Sequence, residues 1–154
     1  MNQKLNESLT RATEDIFENA LGWSVKSSPP KERPINESWA ETSVIISFVG
    51  SISGALTLKC SKKLASHIAT DMLGTKIEEG SDDMKDAVGE LLNMIIGSTK
   101  LYFSSNGDPF KISVPTIIIG QEYSIHVNAS QDENITQIDF DCDGDGMSID
   151  IYLT

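Results

Sequence analysis

In the stretch DAVGELLNMIIGSTK, residues 86–100, carboxylate and amide side chains recur at helical spacing: Asp86, Glu90 and Asn93. At about 100° per residue they fall in one sector roughly 100° wide, together with Gly89, Gly97 and Lys100. Glu90 and Asn93, at i and i+3, project together. Ala87, Val88, Leu91, Leu92, Ile95, Ile96, Tyr102 and Phe103 cover the other side. The pattern is a helix with a wide apolar face and a narrow polar stripe. A glycine in an exposed helix interior costs about 1 kcal/mol relative to alanine. At Gly89 and Gly97 that cost removes side-chain bulk on either side of the Glu–Asn pair, so that a partner's backbone can approach. The stripe fits a solvated face and a docking surface alike.

A second constellation lies near the C-terminus. In DFDCDGDGMSID, Asp139, Asp141, Asp143, Gly144 and Asp150 match positions one, three, five, six and twelve of a calcium-binding loop. Such a loop wants helical flanks and a glutamate at its last position. Here both flanks alternate like strands, and Asp–Gly is a strong hairpin signal. The expectation is a tight turn with Asp139, Asp141 and Asp143 on a solvated acidic face, and no metal held by the protein itself. Cys60 and Cys142 each end an alternating pattern and are expected as small core residues. His67 falls off the apolar stripe of its helix, and His126 falls on the solvent side of a strand. No phosphate-cradling glycine loop, nucleophile constellation or zinc-spaced Cys/His cluster occurs.

The elements that must position these residues follow from periodicity and punctuation. Leu5, Leu9, Ile16, Phe17, Ala20 and Leu21 mark an N-terminal helix that stops at Gly22. SSPPKERP reads as a loop, because proline removes backbone donors and fixes φ. TSVIISFVG and GALTLKC read as strands joined by a turn at GSISG. Ser61 caps a helix with the stripe Leu64, Ile68 and Met72, with Leu73 beside it, ended by Gly74. Ser81, Asp82 and Asp83 form the cap and acidic first turn of the long helix, which runs to about Ser104 before SSNGDP. VPTIIIG and EYSIHV follow as strands, with Pro115 at a strand start, where its missing N–H does no harm. TQIDFDC and MSIDIYL close the chain as an alternating pair. Strands joined by turns, without regular strand–helix–strand alternation, predict an α+β fold with a largely antiparallel sheet in one domain, 1–154.

The formal net charge of −11 repels nucleic-acid backbones and anionic membranes, so neither is expected as a partner. No apolar run reaches the roughly 20 residues of a membrane span. The polar start MNQKLNESLTRATED carries no signal pattern. The expected compartment is the cytoplasm, with both thiols reduced.

Asp86, Glu90, Asn93 and then Pro115 resemble the signature of the CheC/CheX chemotaxis phosphatases. That signature is Asp or Ser, three residues, Glu, two residues, Asn, some twenty residues, then Pro; here 21 residues separate Asn93 from Pro115. GSISGALTLKCSKKLASHIATDMLG resembles the strand–strand–helix that precedes the site in the CheX branch. The resemblance covers roughly residues 5–154. CheC proteins usually carry two Glu-x-x-Asn motifs. Here the N-terminal helix has Asn19 but Ile16 three residues earlier, so one site is expected, as in CheX.

The resemblance implies a CheC-like α+β fold with a central antiparallel sheet, a long active-site helix and a strand-swapped homodimer. It implies a phosphorylated CheY-type response regulator as substrate. That receiver contributes the aspartyl phosphate, the Mg²⁺ and a lysine, so no cofactor of this protein's own is implied. Asn93 would orient the attacking water, and Glu90 would pair with the receiver's lysine. Asp86, Gly89, Gly97 and Pro115 would support the site or the docking. The alternative is a non-catalytic receiver-binding or flagellar-switch-type module.

Overall fold

Alternating apolar residues build four long strands: β3 (Thr42–Gly50), β4 (Gly54–Cys60), β7 (Asn134–Cys142) and β8 (Asp145–Leu153). They form the middle of one sheet in the order β7-β8-β4-β3, each pair antiparallel. The structure is a computed structural model that describes residues 2–34, 40–104, 107–120 and 134–154. The expected strand EYSIHV, with His126, lies outside the described residues.

Among the described residues, each edge of the sheet is a strand interrupted by a proline-bearing bulge. On β7 run β1 (Lys26–Ser27) and β2 (Lys31–Pro34), and between them Ser28, Pro29 and Pro30 oppose only Ile138 and Asp139. On β3 run β5 (Phe110–Ile112) and β6 (Thr116–Ile119), and between them Ser113, Val114 and Pro115 oppose only Ile46 and Ser47. An extra residue opposite a regular strand is a β-bulge, and edges tolerate both bulges and proline. SSPPKERP therefore does not stay a loop. Its Lys31–Pro34 half pairs with β7, because β7 supplies register and hydrogen bonds that the segment's own composition does not announce. Strand β5 is likewise absent from the sequence reading, since three residues carry too short a pattern.

Among the described residues, three helices cover one face: α1 (Gln3–Ile16), α2 (Lys62–Leu73) and α3 (Asp82–Phe103). α1 continues as a π-helical turn, Phe17–Leu21, that ends at Gly22 with φ 74°. Ser61 Oγ accepts the Leu64 N–H to start α2, and Gly74 in the left-handed region ends it. α3 packs between α1 and α2. Leu5, Leu9, Leu64, Ile68, Leu91, Leu92 and Ile95 join Val44, Ile46, Leu56, Leu58, Ile138, Ile149 and Ile151 in one buried core. Each such side chain contributes about 1.5–3 kcal/mol when fully buried. The opposite face of the sheet is polar in type yet also buried at Thr57, Lys59 and Asp150. Among the described residues no helix is long and apolar enough to cross a membrane.

Candidate functional site

The long helix is held at both ends. At its start Ser81 Oγ accepts the Met84 N–H at 3.2 Å, and Asp82 and Asp83 face the positive end of the helix dipole. At its end Lys100 pairs with Asp108, and the Tyr102 hydroxyl donates to Asp15. Phe103 packs on Phe110, whose ring stands 4.9 Å from Phe48 in β3. Ala87, Val88, Leu91, Leu92, Ile95 and Ile96 are buried, as the wide apolar face requires.

The polar stripe emerges between these contacts. Asp86 and Glu90 are exposed, and Asn93 and Gly97 are half-buried. The two glycines play opposite parts. Gly97 has nothing within 4 Å of the place a Cβ would occupy. Gly89 is buried: a Cβ there would stand 3.3 Å from Ile117 Cδ1 and 3.5 Å from Pro115 Cβ. Gly89 thus makes room for the protein's own β6 and its bulge, and not, as its place in the stripe implies, for a partner's backbone. The helical wheel cannot show this, because β6 reaches the helix from a distant part of the chain. The same contact joins the two ends of the Asp86–Pro115 spacing, with Pro115 seated one residue from Glu90 along α3. Gly89→Leu should therefore overpack this joint and destabilise the fold by about 1–3 kcal/mol. Gly97→Ala should stabilise it by about 1 kcal/mol. Urea midpoints of the two variants check both signs.

The C-terminal aspartates form a hairpin. Asp143 and Gly144 carry positive φ, 56° and 93°, and Asp141 Oδ1 accepts the Gly144 N–H at 2.7 Å. The face is less solvated than the alternation predicts. Asp139 pairs with Lys31 at 2.8 Å and accepts from Gln137. Asp150 is wholly buried, and its Oδ2 meets Arg33 Nη2 at 2.5 Å and Lys59 Nζ at 2.6 Å. Burial pushes the Asp150 carboxyl up from its ordinary range, against the pull of Lys59 and Arg33. Burial likewise pushes Lys59 down, with Asp150 opposing. The sequence gives no local signal for this cluster; only the cross-strand register sets Asp150 opposite Thr57 on β4.

The remaining candidates have structural roles. Cys60 and Cys142 are buried, and burial pushes both thiols up to about 12, so neither is a nucleophile at neutral pH. His67 is exposed, with its ring 4.6 Å from Trp23 and Nε2 3.6 Å from Asp71 Oδ2. Among the described residues no group of three or more His, Cys, Asp or Glu side chains is placed to hold a metal. A cleft of about 740 Å³ between α1 and the Ser28–Pro30 bulge contains none of the stripe residues.

The family model described as chemotaxis phosphatase CheX matches residues 42–141, a span that holds the stripe and Pro115. Among solved structures, a chemotaxis protein CheX from Desulfovibrio desulfuricans is 25% identical with a TM-score of 0.86, covering 97% of this chain and 99% of its own. A CheC-like superfamily protein from Shewanella sp. PV-4 is 23% identical with a TM-score of 0.87, covering 100% and 99%. CheX in the CheX–CheY–BeF3–Mg complex from Borrelia burgdorferi is 20% identical with a TM-score of 0.78, covering 99% of each chain. No curated protein sequence matches this chain.

Proposed function

Because this chain belongs to the CheX family of chemotaxis phosphatases, we propose that it hydrolyses the aspartyl phosphate of a CheY-type response regulator, with Glu90 and Asn93 as its catalytic pair. The observation that carries this reading is the placement of that pair. Glu90 is exposed and Asn93 half-buried on one stripe of a helix anchored at both ends, beside the Gly89–Pro115 joint.

An acyl phosphate is already reactive. Hydrolysis needs a water held in line behind the phosphorus, and little covalent help from a catalyst. The water oxygen bonds to phosphorus as the bond to the receiver's aspartate breaks. The carboxylate leaves, and inorganic phosphate keeps the water's protons. The Asn93 amide offers one acceptor and two donors, enough to hold that water by its proton and face a phosphoryl oxygen. Glu90, one turn away, pairs with the receiver's lysine and sets the depth at which Asn93 enters. Mg²⁺ comes with the receiver and screens the phosphoryl charge. Asp86 and Pro115 hold the helix face and the adjoining strand, and Gly97 leaves clearance for the receiver. The protein works in the cytoplasm and needs no cofactor of its own.

The experiment is a panel of phosphorylated receivers, assayed in Mg²⁺ for faster phosphate release when this protein is added. At least one member should respond. If one binds and none is accelerated, the protein is a receiver-binding module instead. Glu90→Ala should weaken binding and rate together, by about 10–100-fold, the worth of a hydrogen bond between charged groups. Glu90→Lys should be worse, because it sets two cations face to face. Parent-like kinetics for Glu90→Lys would remove the docking role.

We also propose a homodimer assembled through β-strands. Light scattering at micromolar protein should report twice the mass of the chain, and a clean monomer across that range would count against it.

A further inference from the structure

Four large apolar side chains among the described residues stand well exposed: Val49, Leu73, Leu101 and Val114. Two of them belong to the elements around the Glu90–Asn93 pair: Leu101 to α3, and Val114 to the bulge whose Pro115 packs on Gly89. Leu101 extends the stripe itself. At about 100° per residue it stands about 20° from Glu90 around the α3 axis and about 40° from Gly97. It is 77% exposed, although its neighbours in the last turn are all engaged. Lys100 pairs with Asp108, Tyr102 meets Asp15 and the Arg11 guanidinium, and Phe103 packs on Phe110. Leu101 therefore projects from a turn that its neighbours hold rigid. Between it and Asn93 on this line lies Gly97, with open space above it.

Val114 stands in the bulge between β5 and β6 and is 83% exposed. It precedes Pro115, whose ring abuts Gly89. Ser113 pins its other side: Ser113 N–H donates to the Ser47 carbonyl at 2.9 Å, Ser47 N–H to Ser113 Oγ at 3.0 Å, and Ser113 Oγ to the Val114 carbonyl at 3.1 Å. The bulge thus presents an isopropyl group to solvent in a fixed position.

A singly exposed apolar residue is ordinary on any surface. Two rigidly held ones, Leu101 on α3 itself and Val114 in the bulge whose Pro115 packs on Gly89 of that helix, stand on the elements that carry the carboxylate and the amide. We propose that Leu101 and Val114 are the apolar anchors through which this protein docks and selects its phosphorylated receiver. The inference rests on the phosphatase reading above. Eight residues at 1.5 Å rise place Leu101 about 12 Å from Asn93 along the helix. The matching receiver therefore carries an apolar recess on the order of 12 Å from the point where Asn93 meets its phosphoryl group. The gap at Gly97 lets the receiver's backbone close on α3 between the two. A receiver with a charge at that recess is rejected, because burying an unpaired charge against leucine is costly.

The test uses the receiver that responds in the panel, with phosphate release followed as its concentration is raised. The parent is compared with Leu101→Lys, Val114→Asp and, as a control on α2, Leu73→Lys. Each stripe variant should raise KM about tenfold with kcat within about twofold, the scale expected for losing one buried aliphatic side chain. Leu73→Lys should match the parent. Thermal melts and light-scattering mass should be unchanged throughout. Parent-like KM for both stripe variants would overturn the inference, and so would a fall in dimer mass, which would assign the patch to a second copy of this chain. If the parent accelerates no receiver, the phosphatase reading falls and takes this one with it. If the parent is active and both Leu101→Lys and Val114→Asp keep its KM, this inference alone falls.

Discussion

Asn93→Ala should slow receiver dephosphorylation about 100-fold while binding of a phosphorylation-mimicking receiver stays close to the parent's. A well-positioned group contributes on that order, which is roughly 2.7 kcal/mol of barrier. Asn93 is half-buried on a capped, packed helix, so truncating its side chain leaves the fold intact. The loss should appear in the chemical step, because water is ordered by the amide, whereas docking rests on Glu90 and its surroundings. Asn93→Asp is the sharper variant. It keeps the acceptor, loses the donor and sets a negative charge against a phosphoryl group. It should be at least as slow as the alanine variant and should bind more weakly too. Single-turnover decay of the receiver's phosphate, measured beside equilibrium binding, separates the two effects. An Asn93→Ala protein that works at the parent's rate would end the water-positioning mechanism.

The second large effect is on stability. Asp150 is wholly buried and meets both Arg33 and Lys59. Lys59 is itself only 6% exposed. Asp150→Ala leaves that ammonium buried without its carboxylate. Breaking a buried ion pair from one side costs about 3–5 kcal/mol, far more than the intact pair contributes over an apolar replacement. For a chain of this size that is a fall in melting temperature on the order of 10 °C. Asp150 lies on the sheet face away from α3, so the variant, assayed below its melting point, should retain phosphatase activity. Denaturant melts check the first part and phosphate release the second. A loss under about 1 kcal/mol would mean that water reaches Lys59 readily.

Local chemistry alone settles much of this protein. The spacing of Leu5, Leu9, Leu64, Ile68, Leu91 and Ile95 marks the helices, and Ser61, Ser81, Gly22 and Gly74 mark their ends. The alternation in TSVIISFVG, GALTLKC, TQIDFDC and MSIDIYL marks the four long strands. Glu90 and Asn93 are legible as a pair because a helix brings i and i+3 together wherever it sits. The rest depends on what meets across the sheet. SSPPKERP becomes an edge strand only because β7 lies beside it, and Phe110–Ile112 only because β3 does. Gly89 reads as clearance for a partner until β6 closes on it. Asp150 reads only as the last position of a calcium-loop pattern until the register sets it among Lys59 and Arg33. A residue's period tells which side of its own element it occupies. Whether that side faces water is decided by segments distant in the chain, and it is their packing that leaves Glu90, Asn93 and Leu101 accessible while burying Gly89 and Asp150.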